Sequence, residues 1–302
     1  MKKVKALRIL MMTALAMIMA ISSAFAAESG VDWNSSKITV TGMGVAPVNA
    51  RSAAQGRMMA RRAAVVDAYR QLAETVKGVN IDGETTVEMS ATTSDIVKSK
   101  VSAFIQGARV VSERITPDGG YVVTMEAPLF GISNSLASTV MPKPAEKEAF
   151  PTVSVNVNVG GTQTIGGTTA PNTSTNGSPA ADPTVLAQAT VQQEGNYTGL
   201  IVDCRGLGLK PVMSPVIKNA NLESIYGYKN LDYDKVVSNG MAGYAYDLNG
   251  ASRAGSHPLI VKAQSLVGNY ANPVISVADA NKVLVENQAT HFLDNTNVVF
   301  LR

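Results

Sequence analysis

The sequence predicts an α+β fold: two small α/β sandwich-like modules, the first ordered βαβαββ, joined by a flexible linker. Three observations carry this. A long alanine-rich helical pattern, "MMARRAAVVDAYRQLAETVKGV" at 58–79, follows the alternating stretch "KITVTGMGVAP". Two more alternating stretches, "ARVVSERI" and "YVVTMEAPL", flank Pro117-Asp118-Gly119-Gly120, a strong hairpin signal. From 160 to 183 the chain is almost wholly Gly, Thr, Asn, Ser, Pro and Ala, with Asp182 its single charge, and it lacks the apolar bulk to build a core.

Taken in order, the chain opens with Lys2, Lys3, Lys5 and Arg8, an apolar run at 9–21, and Ala24-Phe25-Ala26, a small-x-small cleavage site. The expectation is an export signal cleaved after Ala26, because the apolar run is shorter than the roughly 20 residues that span a bilayer. No transmembrane segment is expected after its removal. The whole chain is formally +3, and losing four basic and no acidic residues leaves −1. That balance gives no electrostatic footprint for nucleic acid. A single cysteine, Cys204, excludes an internal disulfide and stands nowhere near the cleavage site, where a lipoprotein would need one.

The first module, 36–142, begins with the 37–47 strand; Pro47 and Asn49 lead into the long helix. Gly78 stops that helix, and "VNIDGETTVEM" at 79–89 predicts a second strand. A second helix is predicted over 92–106, with Asp95 in its first turn, Val97, Val101 and Phe104 on one side, and Gly107 after its end. The hairpin completes the sheet. In the long helix Val65, Tyr69, Leu72 and Val76 form an apolar stripe that extends back to Met58 and places Arg62 inside it. Asp67, Arg70, Gln71 and Glu74 lie opposite, with Arg70 and Glu74 spaced to pair. Arg62 has two readings: a stem that snorkels along the sheet, or a partly buried guanidinium paired with Glu88, Glu126 or a partner subunit.

Within 143–195, the low-complexity linker, "VSVNVNVG" at 153–160 alternates strictly and predicts a strand. The second module, 196–302, contains the strand-like stretches "YTGLIVDCRGLGLKPVMSPVI" and "HPLIVKAQSL". It closes with a helix between two short strands, with Val285, Ala289 and Phe292 at helical spacing and "NVVFLR" the last strand.

"GRMMARRAAVVDAYRQLAETVKGV", with "TVTGMGVAP" before it and "SAFIQGARVVSERITPDGGYVVTMEAPL" after it, resembles the surface-lipoprotein family that includes flagellar protein P. It is also similar to the amino-terminal domain of flagellar assembly protein T. The shared signature is an alanine-rich helix ending in L-x-x-x-V-x-G and a G-A-x-V strand, over about a third of the chain. The resemblance implies a periplasmic or outer-membrane-associated structural protein without enzymatic activity, often assembled around the flagellar motor or in the envelope. The lipoprotein branch carries a lipobox cysteine, which this chain lacks. The second module resembles the carboxyl-terminal half found beside flagellar-protein-T-like domains in some exported bacterial proteins.

Several patterns were weighed as chemistry. Gly42-Met43-Gly44 stands where a dinucleotide loop would, but Pro47 replaces the third glycine, so a tight turn is expected and no nucleotide cofactor. Cys204 with His257 or His291 has no supporting signature, and a buried structural thiol is the expectation. The two histidines are 34 residues apart with no acidic or thiol partner at ligand spacing. Asp232-Tyr233-Asp234 is not a calcium loop, since Val236 stands where a ligand belongs and the bidentate Glu is missing. Catalytic, cofactor-binding and metal-binding residues are therefore expected to be absent. The leading reading is a non-enzymatic envelope protein with a structural or assembly role, acting on envelope or flagellar proteins or on its own copies. The alternative is a binding module for peptidoglycan or another envelope polymer, for which Tyr226, Tyr228 and Tyr233 form the local aromatic cluster.

Overall fold

The computed structural model describes residues 29–153 and 193–302. The predicted signal peptide, the 160–183 tract and all but Val153 of the predicted 153–160 strand lie outside the described residues. Within them, helices and three four-stranded sheets form the α+β class read from the sequence. Contacts group the described residues into two compact units that do not follow chain order. The first holds 29–32, 37–76 and 105–127; the second holds 33–36, 77–104, 128–153 and 193–302.

In the first unit β1 (Gly30–Asp32), β2 (Lys37–Gly44), β3 (Arg109–Ile115) and β4 (Tyr121–Pro128) form one sheet in the order β1-β2-β4-β3. A 25-residue helix, α1 (Ala53–Lys77), packs on it. Ser52 starts the helix: its hydroxyl accepts from the Gln55 amide at 3.1 Å, while the Gln55 side chain accepts from the Arg51 amide at 2.8 Å. Along β2 the buried positions alternate, Ile38, Val40, Gly42 and Gly44. The expected tight turn at Gly42-Met43-Gly44 is corrected here, because these residues end a strand. A Cβ on Gly42 would lie 2.2 Å from the Ala64 carbonyl oxygen, and one on Gly44 would lie 2.1 Å from that of Ala60. The missing side chains let the helix backbone touch the sheet.

That contact also corrects the helical stripe. The buried face of α1 is Gly56, Ala60, Ala64, Ala68, Leu72 and Val76, one residue in four. Met58 and Arg62 are exposed, and Val65 and Tyr69 are half-buried. Against a glycine-bearing strand only small side chains fit, so the alanines displace the larger residues that a hydrophobicity pattern favours.

The predicted second strand at 79–89 is corrected as well. Only a single bridge, Asn80 to Thr86, remains of it. Asp82 accepts from the amides of Glu84 at 2.8 Å and Thr85 at 2.7 Å, closing a turn, and the Thr86 hydroxyl accepts from Met89 N at 3.3 Å to start α2 (Val87–Thr93). Ser94 breaks the predicted 92–106 helix, so α3 runs Asp95–Gln106, with Val101 and Phe104 buried. The first part of the chain therefore reads ββαααββ rather than βαβαββ.

The second unit contains two sheets. In one, β8 (Gly243–Ala245), β12 (Val298–Leu301), β5 (Gly199–Asp203) and β9 (Pro258–Lys262) are all parallel. Its central strands, "GLIVD" and "VVFL", are nearly continuous apolar runs, as strands covered on both faces require. The other sheet takes the order β10 (Ser265–Val267), β11 (Asn272–Ile275), β6 (Ile217–Asn219), β7 (Ser224–Tyr226). Besides α2 and most of α3, the unit holds α4 (Leu136–Val140), α5 (Tyr233–Asn239) and α6 (Val277–Thr290). The expected helix between two strands is α6, capped by Ser276, whose hydroxyl accepts from Asp279 N at 3.0 Å. Val285 is buried on it and Phe292 just beyond its end, while Ala289 is exposed.

Substitutions separate the two accounts of α1. Gly44→Ala should destabilise by about 1–3 kcal/mol or more through overpacking, and Leu72→Ala, fully buried, by about 2–5 kcal/mol. Arg62→Ala should stay within about 0.5 kcal/mol. Urea unfolding measures all three, and a Gly44→Ala curve superimposable on the parent's would refute the close approach.

Candidate functional site

Packing of the small-residue stripe turns the opposite side of α1 outward. There Met59, Arg62, Ala63, Val66 and Arg70 follow i, i+3, i+4, i+7, i+11 and, with Asp67, line a shallow hollow of about 510 Å³. Met59 and Val66 are exposed. Asp67 fixes one rim: it accepts from Arg70 at 2.8 Å, Gln71 at 2.9 Å and the Met43 amide at 3.0 Å. The Arg70 guanidinium first, and then the Met43 amide, hold its carboxyl below the usual range. Arg70 also reaches Glu74 at 3.3 Å, the pairing expected from spacing.

Arg62 makes no ion pair among the described residues. The carboxylates proposed for it serve others: Glu88 pairs with Lys77 at 4.0 Å and Glu126 with Lys37 at 3.1 Å. The neighbouring Arg61, which sequence reasoning passed over, is the arginine that ties α1 to the sheet. Its Nε donates to Glu113 Oε2 at 2.8 Å and its Nη2 to Oε1 at 2.5 Å, while the Tyr121 hydroxyl donates to Oε2 at 2.9 Å. Arg61 and then Tyr121 hold the Glu113 carboxyl below its ordinary 4.5. No pattern in the sequence marks Arg61 over Arg62, since the choice depends on which way the helix rolls.

The second unit carries a polar cleft of about 700 Å³ whose lining includes Asp82, Glu84, Lys218, Tyr228, Lys229 and Asn272. Glu148, Ala149 and Pro151 line one side of it, and neighbouring residues hold that segment in place. The Tyr228 hydroxyl donates to the Pro142 carbonyl at 2.5 Å, the Asn230 amide to the Ala149 carbonyl at 3.1 Å, and Glu148 pairs with Lys229 at 3.3 Å. Burial pushes the Tyr228 hydroxyl well above its ordinary range. Phe150 stacks on the fully buried Tyr226 at 6.3 Å between centroids. The aromatic cluster is thus divided. Tyr226 is core, Tyr228 meets the cleft, and Tyr233 lies beneath the Lys143 ammonium at 5.8 Å.

The residues weighed for chemistry have structural partners. Cys204 is buried and its Sγ faces the Val202 carbonyl oxygen at 3.7 Å. Burial, and secondarily Asp203, pushes its thiol up to about 12, which suppresses the reactive thiolate. His257 stacks on Tyr197 at 5.2 Å; His291 ends α6 in a left-handed conformation at φ 53°, and the expectation that it has no acidic partner at such spacing is corrected, since its Nδ1 lies 3.6 Å from Asp294 three residues on. Asp232 caps α5, accepting from the Lys235 amide at 3.0 Å. Among the described residues no three His, Cys, Asp or Glu side chains converge as a metal site, and no helix is long and apolar enough to cross a membrane. Arg253, also unmarked by the sequence, is the guanidinium that the fold takes inward. It donates to the carbonyls of Asn239 and Thr296 at 2.7 Å, to that of Gly240 at 2.6 Å, and to the Thr296 hydroxyl at 2.9 Å.

Two family models match the chain. Residues 33–127 match the LPP20 lipoprotein family, and residues 199–302 match the second domain of Treponema pallidum Tp0624. No curated protein matches it. Each match covers about a third of the chain.

The Arg61–Glu113–Tyr121 cluster sets a pH dependence. The depressed Glu113 carboxyl stabilises the fold fully above its ordinary 4.5, and that contribution disappears as pH falls through the lower folded value. Glu113→Gln should lower the thermal midpoint at neutral pH, with the gap to the parent closing on acidification. A gap that widens in acid would contradict the assignment.

Proposed function

We propose that the chain is an exported, non-enzymatic protein of the bacterial cell envelope with a structural or assembly role exercised through protein contacts. The observation that carries this reading is the match of 33–127 to the LPP20 lipoprotein family. Two features agree with it: the basic and apolar leader at 1–26, and the outward Met59–Arg62–Val66 face of α1, a surface suited to another helix. The more specific role is flagellar assembly, suggested by the resemblance of the α1 region to flagellar proteins P and T. A second reading is favoured by the polar cleft beside Tyr228: mixed carboxylates, lysines and amides with one aromatic wall suit a hydroxyl-rich envelope polymer such as peptidoglycan.

Cell fractionation with mass spectrometry of the amino terminus tests export. The expected result is a chain beginning near Ala27 in the envelope fraction, and an unprocessed chain in the cytoplasm would overturn it. A photo-crosslinker at Met59 or Val66 should trap a discrete envelope protein; a flagellar basal-body component supports the finer role. Co-sedimentation with purified sacculi, lost in Lys218→Ala and Glu84→Ala, would favour the polymer reading instead.

A further inference from the structure

One end of the first unit combines protruding apolar side chains with unpaired arginines. The chain leaves β2 at Gly44 and reaches α1 through residues 45–52, where Val45 is 73% and Val48 109% exposed. Met58, in the first turns of α1, is 74% exposed, and Ile115, at the end of β3, is 55% exposed. These elements meet: Ala46, Ala50, Arg57, Ile115 and Pro117 border one shallow hollow of about 530 Å³. Arg51 and Arg57 carry no ion pair among the described residues. Of the nearby carboxylates, Glu113 is neutralised by Arg61, whereas Asp118, tied to the Thr116 hydroxyl and the Gly120 amide, keeps one negative charge against the two arginines. The end is therefore net positive.

We infer that this end of the first unit is a docking surface for an anionic lipid membrane. Charge complementarity selects an acidic partner, and the shape of the apolar part selects lipid over protein. Isolated side chains projecting from a loop and a hairpin offer no continuous flat patch for a folded partner to cover, whereas a bilayer interface deforms around single insertions. Arginine stems lie along that interface with their heads at the phosphates. Each arginine near an anionic surface strengthens binding roughly fivefold, so the two together supply about 25-fold. The inference rests on the envelope reading above and names the surface that the protein would touch there.

The test is flotation of the full chain, as recovered from the envelope fraction, with vesicles of mixed phosphatidylglycerol and phosphatidylcholine or of phosphatidylcholine alone. The parent should float with the anionic vesicles at least about tenfold more tightly than with the neutral ones, and added salt should weaken it. The double variant Arg51→Gln/Arg57→Gln should lose about 25-fold. Val45→Ser/Val48→Ser should lose severalfold at unchanged salt sensitivity, and Lys210→Gln/Lys262→Gln, in the second unit and outside the polar cleft, should float as the parent does. All the substituted side chains are exposed or half-buried, and unchanged thermal melts confirm folded variants. No flotation of the parent, or equal loss in the second-unit variant, overturns the proposal. So does arginine-dependent capture of an acidic protein without vesicle binding. In each of these outcomes the fractionation result stands or falls by itself, so the two readings fail separately.

Discussion

The close approach of α1 to β2 is the constraint from which the rest of the first unit follows. Gly42 and Gly44 give up their side chains so that the helix backbone at Ala60, Ala64 and Ala68 can lie against the strand. Each alanine buries little apolar area, so the contact draws mainly on dispersion between closely packed backbones. Larger side chains enter only beyond the glycines, at Leu72 and Val76. The rotation of the helix is thereby fixed, and with it the faces that α1 presents. The alanine stripe faces in, Arg61 is brought to Glu113, and Met59, Arg62 and Val66 face out.

The second unit solves a different problem, that of polar groups inside a parallel-sheet fold. Glu286 on α6 is fully buried, and its two carboxylate oxygens accept from the amides of Glu194 at 2.7 Å and Gly195 at 2.8 Å. Arg253 gives its guanidinium to three main-chain carbonyls and one hydroxyl. Neither uses an opposite charge. Main-chain dipoles compensate both, an arrangement that anchors specific loops where an ion pair would only neutralise a charge. Among the described residues Asn281 Oδ1 is the one buried side-chain atom left without a partner.

Class, hairpin and closing strand–helix–strand were legible because each rests on local periodicity or turn chemistry. The terminal strand of the second unit was legible, but its pairing in a parallel sheet was not, because the partners of β12 lie about 55 and 100 residues away. What failed was decided by contacts between distant residues. The 79–89 stretch alternates like a strand, yet the amides of Met213 and Ser214 bond to Asn80 and Ile81 carbonyls at 3.1 and 2.7 Å, and Thr86 caps a helix. The stripe through Met58 and Arg62 followed hydrophobicity, whereas the packed face followed size. Glycines at alternate positions of the preceding strand were the available signal, since they ask for small residues at every fourth position of the covering helix. For Arg61 and Arg253 there was none: their carboxylate and carbonyl partners lie 52 and 13 to 43 residues away.

The same size rule explains why α1 is amphipathic twice over. A helix whose inner face opposite the glycines is limited to small residues keeps larger apolar residues of the same turns, Met58, Met59 and Val66, for the outside, where they contribute nothing to the core. Folding therefore does not account for their presence. Scattered exposed apolar residues need no explanation, but Met59 and Val66 line one hollow with Arg62, which makes no ion pair among the described residues. Polar substitutions at those positions would leave the close-packed seam intact, so the side chains that specify the fold of this unit and those that present its outer surface are largely separate sets. That separation is what allows the surface to be probed by mutation without unfolding the helix that carries it.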